Sequence, residues 1–446
     1  MSRFDRKTRA RLDAWTKAGL ISSGQAAAID AYEEARSGPS WGILVFAGFG
    51  ALALGLGVIL LFAYNWEKMH KFAKLGVIFG GLALAHGAGL WLRRENRPLL
   101  AETAHLVGTM LFGAGIFLVA QIYHVSAHYP DAFLIWALGA LLLTWVLPSV
   151  QQGWLASGLL CVWAFSEYIS YDARMAAAPL LVFAGTGLPA WKLRSPALLT
   201  ASALCTTLTA MAGIVVSDET IFMILLSMAV LFAALGWLLR RRGDFPQASA
   251  VFRNVSLALY LPLMFVLSFY DMGRFLLPEA GFWQDEPFVL WGRLAALLLA
   301  SAVLGGWAVW QAVRRDEAGT AACRVHLLLP IAVYAVYLLL ALVFSADLPG
   351  LEQSYTVWVI LAALGSLAFL HHAVLGLWVG SRETRPWLVA GSALLLTAWV
   401  FVRFGDLFEN LLARGAAFLV LSGALFFIAA MYHRQRREAA AGRNAS

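Results

Sequence analysis

Charge is scarce in this 446-residue chain: 13% of its residues are charged, against 61% that are hydrophobic. Soluble domains carry about 25% charged and about 45–50% apolar residues, so a soluble globular fold is excluded. Cysteine is nearly missing as well. Cys161, Cys205 and Cys323 are odd in number and lack metal-ligand spacing, which argues against a disulfide framework. The opening "MSRFDRKTRARLDAWTKAGL" is charged throughout, so no cleavable signal peptide is expected. The phosphate-binding G-x-x-x-x-G-K-[ST] loop, the dinucleotide fingerprint, G-x-S-x-G and H-E-x-x-H are all lacking. Their lack disfavours an ATP-driven pump within one chain, and neither a cofactor nor a metal is expected. The net charge of +7 is read as a report on topology, with no nucleic-acid partner implied.

Long apolar runs take the place of these features. A helix needs about 17–25 apolar residues to cross the hydrocarbon core. Fourteen such spans are predicted, at 41–63, 73–92, 103–124, 131–148, 152–170, 174–190, 197–216, 219–239, 251–270, 288–312, 326–345, 355–378, 387–404 and 411–432. With the N-terminus inside, 25 of the 33 Lys and Arg fall on the inner side. Omitting one span would invert every later loop and spoil that bias. The expected fold is an all-α polytopic membrane protein with about 14 transmembrane helices and both termini cytoplasmic. Its parts are a cytoplasmic helical arm (1–38), a transmembrane domain (39–433) and a basic, disordered tail (434–446). In the arm, Gly19 ends one helix, and Ser22 and Gln25 have the spacing of a capping box that starts another. So short a hairpin buries little, which suits docking on a protein partner or self-association, and equally suits a solvated arm that only sets the topology.

In this topology Asn65, Trp66, Gln121, Tyr123, His124 and His128 lie at the outer face. If the third helix continues, Gln121, His124 and His128 share one side of it, at i, i+3 and i+7. Two histidines at i, i+4 can bind a metal, but no accompanying carboxylate motif is present, and interface-seeking Tyr and His that merely end a helix are the simpler expectation. Arg293, Arg403 and Arg414 depart from the positive-inside bias, the last two flanking Asp406 and Glu409. Singly, each is accounted for by snorkelling or by pairing with those acids. Together with the Gln-Tyr-His cluster they suggest an outward-facing pocket for an anion, since guanidinium groups bind phosphate or carboxylate in a fork. His86, among glycines near mid-membrane, and Glu167, near the outer end of its span, are candidate members of an intramembrane relay. For His86 the simpler expectation is a neutral ring bonded to a neighbouring backbone group. Glu102, His105, His371 and His372 form a thinner inner set.

Two stretches, "ALGLGVILLFAYNWEKMHKFAK" and "LFGAGIFLVAQIYHVSAHYPDAFLIWALGALL", resemble the bacterial DUF2157 family of predicted membrane proteins. The arm "LDAWTKAGLISSGQAAAI" looks like that family's opening hairpin, and "FGDLFENLLARGAAFLVLSGALFFIAAMYHRQRRE" is similar to its last helix. The resemblance implies a multi-pass protein of the bacterial inner (cytoplasmic) membrane, and no chemistry. Membrane lipids are its expected surroundings. Three functions stay open on the residues. One is a secondary transporter or flippase for an anionic or lipid-linked substrate. Another is an integral membrane enzyme that modifies an envelope lipid or glycan at the outer face. The third is a non-catalytic assembly or sensor component. A transporter needs polar groups at both faces, whereas an enzyme can keep them all outside.

Overall fold

The computed structural model describes residues 11–36, 69–125, 128–215, 217–241, 243–269, 288–314, 321–345 and 355–407, besides isolated positions at 272, 276, 419, 422, 423 and 426. The span expected at 41–63 lies outside the described residues, as does nearly all of 411–432. Two compact units are present, Met1–Gly80 and Gly81–Ser446.

In the first unit a helical segment over residues 11–17 ends at Gly19, whose φ of +69° is the left-handed conformation that glycine adopts without steric cost. The next helix, α1 (Ser23–Arg36), starts on a reciprocal cap. The Ser22 amide donates to Gln25 Oε1 at 2.9 Å, and the Gln25 amide donates to Ser22 Oγ at 3.1 Å. Trp15, Leu20 and Ile29 are exposed on this hairpin.

The chain then runs through α2 (Lys71–Arg94), α3 (Pro98–Tyr123), α4 (Pro130–Val146), α5 (Val150–Tyr171) and α6 (Ala178–Val182). A π turn (Phe183–Gly187) joins α6 to α7 (Leu188–Lys192). There follow α8 (Pro196–Ile214), α9 (Asp218–Leu238), α10 (Gln247–Leu267), α11 (Phe288–Arg314), α12 (Ala321–Ser345), α13 (Tyr355–Arg382) and α14 (Pro386–Leu407). Among the described residues, eight helices are long and apolar enough to cross a membrane, and α4 and most of α14 are shorter apolar helices. The protein is an all-α, multi-pass membrane protein. Pro98, Pro130 and Pro196 open α3, α4 and α8, where a missing N–H costs nothing.

Helices already surrounded by hydrocarbon gain little by burying apolar area against one another. Small residues and interhelical hydrogen bonds must hold them instead. Gly113 of α3 lies flat against the Trp136 indole of α4, in space that a Cβ would have to share with the ring. The indole Nε1 donates to Thr109 O at 2.8 Å, which locks the same crossing. Gly365 of α13 meets backbone: a Cβ there would stand 2.8 Å from Leu267 C and Ser268 N at the end of α10. Ser256 Oγ of α10 donates to Ala229 O of α9 at 2.6 Å, and Ser301 Oγ of α11 donates to Ser227 O of α9 at 3.1 Å. Helix α9 is therefore the hub of the larger core, which holds the fully buried Phe232, Tyr260 and Tyr337.

Alternate turns are tied together at one end. Arg93 donates to Leu147 O at 3.4 Å, Lys192 lies 4.4 Å over the Trp145 ring, and Trp191 Nε1 donates to Asp244 at 3.2 Å. We call this the basic end. Three helices close on it with one device: Arg240, Arg314 and Arg382 lie 4.2, 4.5 and 4.3 Å over the rings of Trp237, Trp310 and Trp378, one turn back. Amphipathic rings and guanidinium groups of this kind anchor a span at the headgroup level.

Candidate polar site at the end of the α4–α5 hairpin

The opposite end carries the polar stretch after α3. That helix does not continue to His128 as its spacing suggested. It stops at Tyr123, and His124 takes the left-handed conformation (φ 51°, ψ 40°), with its amide on Gln121 O at 3.3 Å and the Val125 amide on Ala120 O at 2.9 Å. The turn takes His128 off the face of Gln121 and His124 and places it just before Pro130. Asp131 then falls in the first turn of α4. Helix α5 returns antiparallel to α4 and ends at Asp172, also left-handed at φ 49°. Glu167 is thereby delivered from α5 to the mouth of the hairpin.

There His128 Nε2 meets Glu167 Oε2 at 2.8 Å, and Trp163 Nε1 donates to Glu167 Oε1 at 3.2 Å. Glu167 is 4% exposed, whereas the His128 side chain is 36% exposed. A carboxylate removed from water is costly unless its oxygens are engaged, and both of these are. Tyr129 and Ser170 share a 2.6 Å hydrogen bond, and the Tyr171 ring lies 4.0 Å from that of His128. One ligand atom each from His128, Asp131 and Glu167 fall within 4.8 Å of one another. The pair His128–Glu167 can shuttle a proton, and the three groups together can hold a cation.

Arg293, one turn into α11, reaches the same end of the molecule. Its Nη1 donates to Arg174 O at 2.8 Å and to Gly213 O at 3.0 Å, satisfying a carbonyl at the end of α8. Arg174 in turn donates from Nε to Val215 O at 3.1 Å and pairs with Asp172 at 3.1 Å. Below Arg293 an apolar groove of about 560 Å³ runs between α6, α8, α9 and α11, lined by Leu180, Phe183, Leu231, Phe232 and Leu297 among others.

Two interior groups lie nearer the basic end. His86 Nδ1 and His105 Nδ1 are 3.1 Å apart, so one ring donates and the other accepts. The partner of His86 is thus a side chain and not the neighbouring backbone. Each ring occupies the place of a Cβ that a glycine on the other helix lacks: His86 against Gly108, His105 against Gly89. The second group surrounds a small cavity lined by Arg240, Ser249, Arg253, Ser256 and His326. Behind it the His326 and His372 rings are 5.1 Å apart, and those of His372 and Tyr260 are 5.2 Å apart.

Of the expected outer residues, the structure brings together His128 and Glu167, while Gln121, Tyr123 and His124 are exposed at the end of α3. The side chains of Arg403 and Asp406, and all of Asn65, Trp66, Glu409 and Arg414, lie outside the described residues. Asp131, Trp163 and Ser170 were not singled out from the sequence. Asp131 had a legible signal, the i, i+3 spacing from His128 across a helix-opening proline. Trp163 and Ser170 had none, because their role depends on how α5 packs.

Residues 13–152 match the DUF2157 family, described as a predicted membrane protein. The match takes in the arm from residue 13 onward and the His128 stretch. No curated protein and no solved structure matches the chain.

Proposed function

From a multi-pass membrane protein matched to that family over residues 13–152, we propose a secondary transporter or flippase of the inner membrane that takes an anionic lipid, or a lipid-linked anion, from the outer leaflet. The observation that carries this reading is the apolar groove ending on Arg293. Lipid-facing arginine is expensive, and such residues mark ligand pathways. Nη1 of Arg293 is held by two carbonyls, and its Nε–Nη2 edge has no partner among the described residues. That edge suits a phosphate in the forked geometry, with acyl chains lying down the groove. A transfer route also needs a receiving site. Helix α9 runs between the two, lining the groove with Leu231, Phe232 and Leu235 and the small basic-end cavity with Ala233, Gly236 and Trp237.

The test compares wild type, Arg293→Lys and Leu231→Trp in nanodiscs of mixed phosphatidylglycerol and phosphatidylcholine. Retained lipid is measured by native mass spectrometry, and leaflet exchange of a fluorescent phosphatidylglycerol in proteoliposomes. Lysine keeps a charge and the carbonyl contacts but loses the fork, so retention of the anionic lipid should weaken by about 1–2 kcal/mol with melting temperature preserved. Tryptophan should block the groove. Equal retention of both lipids by wild type, or no effect of either variant, would refute the reading.

A second reading, an integral enzyme that modifies an envelope lipid or glycan at the outer face, is favoured by the His128–Glu167 contact. A carboxylate fixed by Trp163 and bonded to a half-exposed imidazole is an acid–base arrangement. Chemical turnover of the lipid during the exchange assay would favour it over transport.

A further inference from the structure

We infer that His128, Asp131 and Glu167 form a binding site for a divalent transition-metal ion, zinc by ligand type, at the mouth of the α4–α5 hairpin. This inference is independent of the lipid reading, which rests on Arg293 and a different set of helices.

The three ligands come from three places in the chain: the turn before α4, the first turn of α4 and the last turns of α5. Side chains that merely cap a helix do not need such convergence. Around a tetrahedral zinc with bonds of about 2.0–2.2 Å, neighbouring ligand atoms stand roughly 3.3–3.6 Å apart. The His128–Glu167 distance of 2.8 Å is slightly shorter than this, and the largest separation in the group is under 4.8 Å. Zinc would replace the His128–Glu167 hydrogen bond and part the two atoms by about 0.5 Å or more, and Asp131, which is exposed, can turn toward it.

Electrostatics favours the same occupant. Two carboxylates this close repel one another, and a dication between them converts repulsion into attraction. Among the described residues neither Asp131 nor Glu167 is paired with a lysine or arginine, and Arg174, the nearest basic residue to Glu167 along the chain, is engaged by Asp172 and Val215 O. The imidazole selects the class of ion: calcium and magnesium prefer all-oxygen shells, whereas zinc and its first-row neighbours accept mixed nitrogen and oxygen ligands.

The surroundings are those of a working site. Trp163 Nε1 binds the far oxygen of Glu167 and fixes the carboxylate, as outer-shell donors do around metal ligands. Three protein ligands leave one position of a tetrahedron open, and His128 and Asp131 are both accessible from outside the fold. A site of this form takes up an exchangeable water or an anionic group as its fourth ligand.

The experiment uses the full chain in detergent, stripped with chelator and dialysed against Zn²⁺ or Co²⁺, with bound metal measured by plasma mass spectrometry. Wild type should hold about one ion per chain, and the cobalt form should show the strong visible absorption of a four-coordinate site. Asp131→Asn and His128→Gln should each weaken binding by about tenfold or more, and Glu167→Gln should abolish it. Glu383→Gln, an acid on the turn between α13 and α14, should change nothing. Glu167 is buried and its variant risks misfolding, so Asp131→Asn, an exposed change that leaves the fold intact, is the deciding arm. Failure of wild type to bind zinc stoichiometrically, or unchanged binding in both Asp131→Asn and His128→Gln, would overturn the site.

Discussion

Glu167 is the residue on which the polar end of the α4–α5 hairpin is organised. Its two oxygens are shared between Trp163 and His128, so the cost of burying a carboxylate is offset by two hydrogen bonds. Glutamine preserves the shape and at least one of these bonds, whereas leucine leaves the buried Trp163 Nε1 without an acceptor. Glu167→Leu should therefore lower the stability of the metal-free protein by about 1–3 kcal/mol more than Glu167→Gln does. Thermal unfolding of the purified chain in chelator is the measurement, and equal stability of the two variants would show that the contacts contribute nothing. The His86–His105 pair follows a different logic. One proton lies between two nitrogens 3.1 Å apart, in a packing arrangement made by Gly89 and Gly108.

At the scale of elements, glycines set how closely the helices approach. Gly113→Ala forces Trp136 off its place and its bond to Thr109 O, and Gly365→Ala pushes two backbones apart. Each should destabilise the protein by about 1–3 kcal/mol, as overpacking does. At Gly158 of α5 an added Cβ would meet nothing within 4 Å, so Gly158→Ala should be neutral or slightly stabilising through helix propensity alone. Thermal melts of the three variants decide the matter; equal losses would mean that close packing is not what the glycines provide. A double-mutant cycle of Gly113→Ala with Trp136→Leu should show coupling, because the two side chains compete for one space.

For the whole molecule the orientation is the central expectation, and the Arg-on-Trp closures of α9, α11 and α13 give it a physical form. If the basic end is cytoplasmic, Asp172→Cys in a cysteine-free background should react with an impermeant thiol reagent from outside the cell. Glu383→Cys should react only after permeabilisation. Reversed labelling would place the His128 site and Arg293 on the cytoplasmic side, and the outer-leaflet reading would fail with it.

Much of this protein was legible as a string. A lack of charge and long apolar runs require membrane helices, because in hydrocarbon each span must satisfy its own backbone, and hydrophobicity is read residue by residue without knowledge of partners. The capping box at Ser22 and Gln25 was readable for the same reason: both bonds are local. The candidate site was legible only as scattered polar residues at one end. A single left-handed residue, His124, decided that Gln121 and His128 part company, and no periodicity argument sees one dihedral angle. The meeting of His128 with Glu167, 39 residues later, depends on the hairpin register of α4 and α5. Arg293 was read with the other outer arginines as part of an anion pocket, yet the packed chain also gave it two carbonyls and a groove. Side chains far apart in sequence are brought to bonding distance by helix packing, which glycines and buried hydrogen bonds determine pairwise, and only the tertiary structure contains those pairs.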